Sequence, residues 1–471
     1  DLHKEYRRQR QMCIRDRLWG DIISGANYEF ANAMVTDSNG NLFVGGSFNG
    51  GYIEQNGTFH YNAGTYGQFN SYTNDMFLAK YNSSGNLEWF QTYGESNSTE
   101  TINGVAIAAD GDIVICGSAK GNFSLGSHAV NYTYIDGLYD GVARLAGHWL
   151  AELNSTGQVN WVKPMENADI CESGEQIGGS LSALKISPNT GSIYTVGHSK
   201  MKTNIWGCQC NNSSFGGIIV ENTNDDWEEN GFVVKFDANG TFQWRYEIPG
   251  KNGSFKDLDL FWDGNHETIY SSGFLEYPGN GVDFPGTSIT LACNDCQKAR
   301  DPFIATIDAS NGQVNWATKA SPVKSTASSY THQSMNRISI DGSGNAILVG
   351  GFSGQTMIFS DLSGSQIHIN NSGENDGYIA KINNMGYWQW AKQLGDLPSR
   401  SEWISNVDVD VNGNAIVSGG FRGESVDIGN TTLTNSYSNN YDADLFIAAI
   451  DADGEWLWAN STQGTQYDNG D

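Results

Sequence analysis

The chain has 471 residues, 38% of them apolar and 17% charged, with 57 glycines against 8 prolines and a formal net charge of −27. An acidic surface of this size repels phosphate backbones and anionic lipid, since affinity for both rests on Lys and Arg neutralising phosphates, so nucleic acid is not an expected partner. No apolar run approaches the roughly 18 residues that a spanning helix needs, and no membrane insertion is expected.

Residues 1–17 differ sharply from the rest. They hold 6 of the 26 Lys and Arg but only 3 of the 53 Asp and Glu, which leaves −30 on the remainder. The segment has neither an apolar signal-peptide core nor any repeat signature. Its CIRDR ending resembles adapter-derived sequence, and it is expected to be extraneous or disordered, with a basic nucleic-acid-binding arm as the alternative.

From residue 18 onward a tryptophan recurs, at Trp19, Trp89, Trp161, Trp244, Trp316, Trp390 and Trp458, with gaps of 70, 72, 83, 72, 74 and 68 residues. The text before the last six recurs too: AKYNSSGNLEW, AELNSTGQVNW, VKFDANGTFQW, ATIDASNGQVNW, AKINNMGYWQW and AAIDADGEWLW. A fixed period of this length marks a repeat array. Seven copies at one repeat position predict packing between repeats rather than a ligand-stacking set, since each buried ring removes apolar area from water at about 25 cal/mol per Å².

Each repeat reads alike in chain order. A hairpin comes first, as in residues 33–48 (AMVTDSNGNLFVGGSF), 337–352 (RISIDGSGNAILVGGF) and 406–421 (NVDVDVNGNAIVSGGF), where Gly and Asn in the turn supply positive φ. Gly45-Gly46, Gly350-Gly351 and Gly419-Gly420 close the second run and predict close backbone approach or a bulge; Cys116, Val196 and Ser272 replace the first glycine elsewhere. An irregular segment follows, typified by residues 281–291 and 425–435, and reads as an extra hairpin. Two strands across an Asx-type turn complete the repeat, with the tryptophan in the second. Four antiparallel strands per repeat, repeated around an axis, predict an all-β fold of the β-propeller kind over residues 18–471 as one domain. It would have six blades of about 70–80 residues, each with an inserted hairpin. Trp19 lies in a lone strand and residues 461–471 start no new hairpin, so six is a floor and a fragment of a larger ring is the alternative.

The segments GNAIVSGGF, DADLFIAAIDADGEWLW and VDVDVNGN resemble the bacterial β-propeller repeats known as SBBP repeats, whose consensus runs through Gly-Asn-x-Tyr-Val-x-Gly, Asp-x-Phe-Val-x-Lys-Leu-Asp and Asp-x-x-Gly-Asn. The resemblance covers nearly all of residues 18–471 and is best at Asp75-Met-Phe-Leu-Ala-Lys80 and Asp376-Gly-Tyr-Ile-Ala-Lys381. Gly147-His148-Trp149 and Asn230-Gly231-Phe232 depart from it by lacking the leading Asp, and the repeats exceed the usual blade length. It implies the propeller fold and an extracellular setting, and no activity.

Asp75, Asp301, Asp376 and Asp444 stand two residues before an aromatic at the start of one strand of their repeats. Facing a channel, they would form a carboxylate ring for calcium or another cation; the expected role is an Asx turn that satisfies backbone amides. Asp225 and Asp226, in Asp225-Asp226-Trp227-Glu228-Glu229, are a second cation candidate, against a solvated loop. Asp451-Ala-Asp453-Gly454-Glu455 opens like a calcium loop but has Thr462 in place of the twelfth-position Glu, so it reads as a hairpin turn. Cys116 is expected as a buried thiol. Cys208, Cys210, Cys293 and Cys296 could together hold zinc, but an extracellular setting favours disulfides, Cys293 to Cys296 and Cys171 to Cys208 or Cys210. No metal-type histidine spacing, nucleophile elbow, phosphate loop or dinucleotide fingerprint is present, so no catalytic residue or cofactor is assigned.

These features predict a secreted or surface-attached, non-catalytic propeller that presents loops to protein or glycan, the longest between residues 197 and 230. It is expected as a monomer or part of a larger multidomain chain, with its signal peptide outside this sequence. The runner-up is a propeller enzyme. Asp308-Ala-Ser-Asn-Gly-Gln-Val-Asn-Trp316 is similar to the tryptophan-docking motif of pyrroloquinoline-quinone dehydrogenases, although that cofactor's cysteine pair and calcium ligands have no counterpart, and paired carboxylates in a channel would suit a glycoside-acting enzyme. A passenger domain of a larger adhesin is the third reading.

Overall fold

The computed structural model describes residues 21–25, 28–49, 51–55, 57–61, 74–95, 98–131, 146–165, 178–200, 212–215, 218–221, 229–248, 253–276, 282–291, 300–323, 333–395, 401–435 and 443–462. Among them the regular elements are all strands. Six four-stranded antiparallel meanders follow one another along the chain. Sheet one is Glu29–Thr36, Leu42–Phe48, Asp75–Tyr81 and Leu87–Tyr93. Sheet two is Thr99–Ile107, Ile113–Lys120, Ala146–Leu153 and Val159–Met165, and sheet three is Gly178–Ile186, Ile193–Lys200, Glu229–Phe236 and Phe242–Ile248. Sheet four is Gly253–Trp262, Glu267–Glu276, Arg300–Asp308 and Val314–Val323; sheet five is Gln333–Ile340, Ala346–Phe352, Asp376–Ile382 and Trp388–Leu394; sheet six is Glu402–Val409, Ala415–Arg422, Ala443–Ile450 and Trp456–Ser461. Consecutive sheets of this form are the blades of a β-propeller, and the fold is all-β. The chain divides into two compact units, one of Asp1–Asn131 with Ala151–Val162, the other of Tyr132–Leu150 with Lys163–Asp471.

Apolar sequence explains the stacking of sheets within the second unit. The third strand of sheet five, Asp376–Ile382, is buried at all seven positions, as a strand covered on both faces must be. One core joins sheets three and four through Tyr194, Val233, Phe255 and Phe303. A second joins sheets four and five through Tyr270, Ile304, Ile338 and Tyr378, and a third joins five and six through Ile347, Ile379, Ile404 and Phe446.

The first turn of the repeat is fixed by its own side chains. Asp341 Oδ1 accepts the amides of Ser343 and Asn345, both at 2.9 Å, and Oδ2 accepts Asn345 Nδ2 at 2.8 Å. Asp37 with Asn41 and Asp410 with Asn414 repeat this clamp. The intervening Gly344 sits at φ +79°, which explains the Asp-x-x-Gly-Asn spacing.

The glycine pairs do mark close approach, but the bulge lies in the strand opposite. A methyl on Gly350 would stand 1.9 Å from the Ser334 carbonyl, and the register slips between Met335 and Arg337 of the first strand. Each first strand has this slip, at Asn32, Asn103, Ser182, Lys256, Asn336 and Ser405. The extra residue can reach the next sheet: Asn32 Nδ2 donates to the Ile102 carbonyl at 2.9 Å, and Asn336 Nδ2 to the Ile404 carbonyl at 2.6 Å.

Inserted hairpins follow the second strands. The one in repeat five, Thr356–Ser360 with Gln366–Asn370, pairs with Lys319–Val323 and widens sheet four to six strands. Ser24–Gly25 pairs in the same manner with the Tyr52–Gln55 hairpin strand of repeat one.

Candidate functional site

A meander gives each sheet two unlike ends. The turn end carries the connections from strand one to two and from three to four. The loop end carries the insertions and the crossings between sheets.

At the turn end, Trp89, Trp244, Trp316 and Trp390 each reach the three-to-four turn of the following sheet. Trp89 Nε1 donates to the Ser155 carbonyl, Trp244 to Ala309, Trp316 to Asn384 and Trp390 to Ala452, at 3.0–3.3 Å. The ring then covers the turn glycine, so that a methyl on Gly312 would meet Trp244 at 2.8 Å and one on Gly454 would meet Trp390 at 3.0 Å. Lys235 and Lys381 donate to the same carbonyls, of Ala309 and Ala452. Asp451 accepts the amides of Asp453 and Glu455 with one oxygen, as a turn cap does.

Carboxylates stand at the loop ends of several individual sheets. Asp75, Asp301, Asp376 and Asp444 are all buried at equivalent strand starts. Their partners differ. Asp376 accepts the amides of Ser372 and Gly373, at 2.7 and 3.2 Å, while Asp301 is ion-paired with Lys319 and bonded by Ser321. Glu100 and Glu402, on the first strands of sheets two and six, are equally buried and were not singled out in the sequence. A methyl on Gly395 would lie within 2.9 Å of both Asp376 and Glu402, so both carboxyl groups lie against this glycine. Burial pushes Glu100 up to about 8, with Ser98 opposing and the charges of Asp75 and Glu95 adding. His148, deep in sheet two, is held down to about 3 by burial and by neighbouring His198, and stays neutral. Among the described residues no group of three His, Cys, Asp or Glu could hold a metal ion.

Aromatic rings beside cations complete the loop end. Trp403 lies over Gly420, with the Arg422 guanidinium 5.8 Å from its ring centre. Phe274 is flanked by Lys256 at 5.0 Å and Arg300 at 4.4 Å. Between the ends, the first strands carry a charge network. Lys185 pairs with Asp259 at 3.1 Å, and Asp257 and Asp259 accept the amides of Ile338 and Ile340. Asp259 holds the Lys185 ammonium above its ordinary range; burial raises Asp257 against the pull of Arg337 and Lys185. Nearly all of these bonds join neighbouring sheets, so the network acts first as a clasp.

Cys116 is buried. Trp19, Asp225, Asp226, Cys171, Cys208, Cys210, Cys293 and Cys296 lie outside the described residues. Motif and spacing found the strand-start aspartates because they recur; Glu100, Glu402, Trp403 and Arg422 recur too irregularly to be noticed without register.

Sheet form and order thus define a β-propeller repeat protein. No family model matches the chain. It is 24% identical to an uncharacterized WD repeat-containing protein of Acanthamoeba polyphaga mimivirus, over 94% of this chain and 34% of that one, so it spans about a third of that relative's length. Among solved structures it is similar to quinohemoprotein alcohol dehydrogenase from Comamonas testosteroni, at 11% identity and a TM-score of 0.43 over 95% of this chain and 69% of that one. It is also similar to a polysaccharide lyase, an ulvan lyase, at 12% identity and a TM-score of 0.40 over 93% and 84%. Likenesses at this level carry no function.

Proposed function

We propose that the protein is a non-catalytic binding propeller of the SBBP type, secreted or held at the outer cell surface, which offers the loop end of its sheets to a protein or glycan. The observation that carries this reading is Trp403 beside Arg422 at that end. Trp403 is half-buried and seated on Gly420, so its ring is held in place before a ligand arrives. A fixed aromatic surface takes the apolar face of a sugar or an aromatic side chain, and the adjacent guanidinium pairs with hydroxyl or carboxylate. The turn end uses its polar groups on its own backbone and on the next sheet, which leaves recognition to the loops.

A glycan array and a panel of immobilised extracellular proteins, probed with the whole chain and with Trp403→Ala, test this. Expected is a ligand whose binding falls roughly tenfold or more in the variant while the melting temperature stays within about 2 °C. Binding indifferent to Trp403, or turnover of a saccharide or of a quinone-linked alcohol, would sink the reading.

A further inference from the structure

The inserted hairpins of repeats one, four, five and six share one seating. Alternate residues at the first strand are buried: Ile53 and Gln55 in repeat one, Val282 and Phe284 in repeat four, Met357 and Phe359 in repeat five, Val426 and Ile428 in repeat six. The residue between them, with the one opposite in register, belongs to the outer face. In repeat four this is Asp283 opposite Thr290 and in repeat six Asp427 opposite Thr432, and each threonine hydroxyl donates to its aspartate at 2.6 Å. In repeat five it is Ile358 opposite His368, with Thr356 opposite Asn370 beyond. His368 and Asn370 are exposed although sheet four pairs with this hairpin and sheet five packs under it. The outer face is thus open to water by the build of the hairpin itself.

Repeat one breaks the pattern. Its outer face is Tyr52 opposite Tyr61 and Glu54 opposite Phe59, so the carboxylate that finds a threonine donor in repeats four and six stands opposite a ring with nothing to donate. Phe59 is 48% exposed and Tyr61 62%. Rings at positions where sister hairpins carry Thr, His and Asn add nothing to the core and gather into an aromatic surface facing water. Tyr52 meets Phe59 at 5.2 Å between ring centres and Tyr61 at 6.4 Å, with the planes 74° and 65° apart. Rings turned so far from one another make no common platform for a sugar to lie across, whereas a small flat cation needs only one ring face. The surrounding sequence supplies no cation: from Leu18 to Ala79 there are five Asp or Glu and no Lys or Arg.

We propose that the outer face of the repeat-one hairpin is a second binding site, which takes an arginine side chain presented by a protein partner. Residues directly opposite on paired strands have Cβ atoms about 4.5–5.5 Å apart, so one guanidinium spans Phe59 and Glu54. It stacks on an exposed ring and, in its own plane, donates paired N–H bonds to the carboxylate, in the place of the threonine hydroxyl of the sister hairpins. Lysine brings the charge without the plane or the fork, and a neutral saccharide leaves the charge of Glu54 uncompensated. The site belongs to the first compact unit and Trp403 to the second, and its chemistry is reversed, with an acid beside the rings where Trp403 has a guanidinium. It stands whether or not Trp403 binds a ligand.

Fluorescence anisotropy with the whole chain tests it, using a labelled glycine-serine peptide that carries two arginines and the same peptide with lysines. Expected is binding of the arginine peptide at least about threefold tighter than the lysine peptide, lowered roughly tenfold or more by Phe59→Ser with Tyr61→Ser and unchanged by Trp403→Ala. Glu54→Gln should weaken it about threefold to tenfold and reduce its salt dependence. Glu54→Lys leaves the rings in place and sets a cation on the face, so it should abolish binding and keeps the proposal testable if circular dichroism shows the double variant to be unfolded. Equal affinity for the two peptides would overturn the proposal, as would affinity indifferent to Phe59, Tyr61 and Glu54, which is the general attraction of a chain of net charge −27. Displacement of the arginine peptide by cellohexaose or laminarihexaose would assign the face to a glycan instead and overturn it too.

Discussion

At the turn end of the sheets a carboxyl group finds donors a few residues away: Asp341 takes two amides and the Asn345 side chain within its own turn, and hydrogen bonds from Asn345 and Ser343 hold its carboxyl below the ordinary range despite burial. At the loop end Glu100, in sheet two, is buried near Asp75, which belongs to sheet one. Both ends bury carboxyl groups. The turn end keeps them charged with local donors, whereas the loop end leaves Glu100 easier to protonate than to ionise. Short-range bonds make the first end regular and repetitive; long-range placement makes the second individual to each sheet.

The largest expected effect is a pH dependence of the loop end. Glu100 titrates at about 8 in the folded chain against 4.5 as its ordinary value, so folding binds a proton in that interval. The associated stability is complete below about 4.5 and is lost as pH rises to about 8, a change on the order of a few kcal/mol. Urea unfolding measured across this window should show the decline, and Glu100→Gln should flatten it relative to the unmodified chain. An unaltered slope in the variant would remove the contrast between the ends.

The next effect is on the turn end. Gly454→Ala combines φ +86° with a methyl 3.0 Å from Trp390, while Gly364→Ala has φ +84° with nothing within 4 Å. The first should destabilise by about 2–4 kcal/mol and the second by about 1–2, the difference reporting the tryptophan contact. Equal losses would mean that only the backbone matters. Trp390→Phe should cost about 1–2 kcal/mol through the lost bond to Ala452. The smallest effect is expected for Asn345→Ala, about 0.5–1.5 kcal/mol, with the decline between pH 4.5 and about 8 unchanged.

Legibility in the sequence followed the same division. The Asp-x-x-Gly-Asn turns and the recurring tryptophan were visible because each is a local solution used again in every repeat. The four-strand count and the all-β class follow from them. The place of the bulge, in the first strand and not at the glycine pairs, escaped, since Asn32, Lys256 and Ser405 share no chemistry and only the register identifies their position. Glu100 and Glu402 escaped because first strands carry glycine at Gly179 and Gly253 in the same position.

The hairpin of repeat five has a bearing on how the molecule comes apart. Its strand Thr356–Ser360 is hydrogen-bonded along Lys319–Val323 of sheet four, while Phe359 packs edge-on against Trp388 of sheet five, at 4.9 Å between ring centres, and the Ser360 carbonyl accepts that indole. Peeling either sheet away breaks contacts with the other. Repeats that would otherwise open one by one should then lose amide protection together across residues 300–323 and 333–394, so the cooperative block of unfolding is offset from the repeat that the sequence displays.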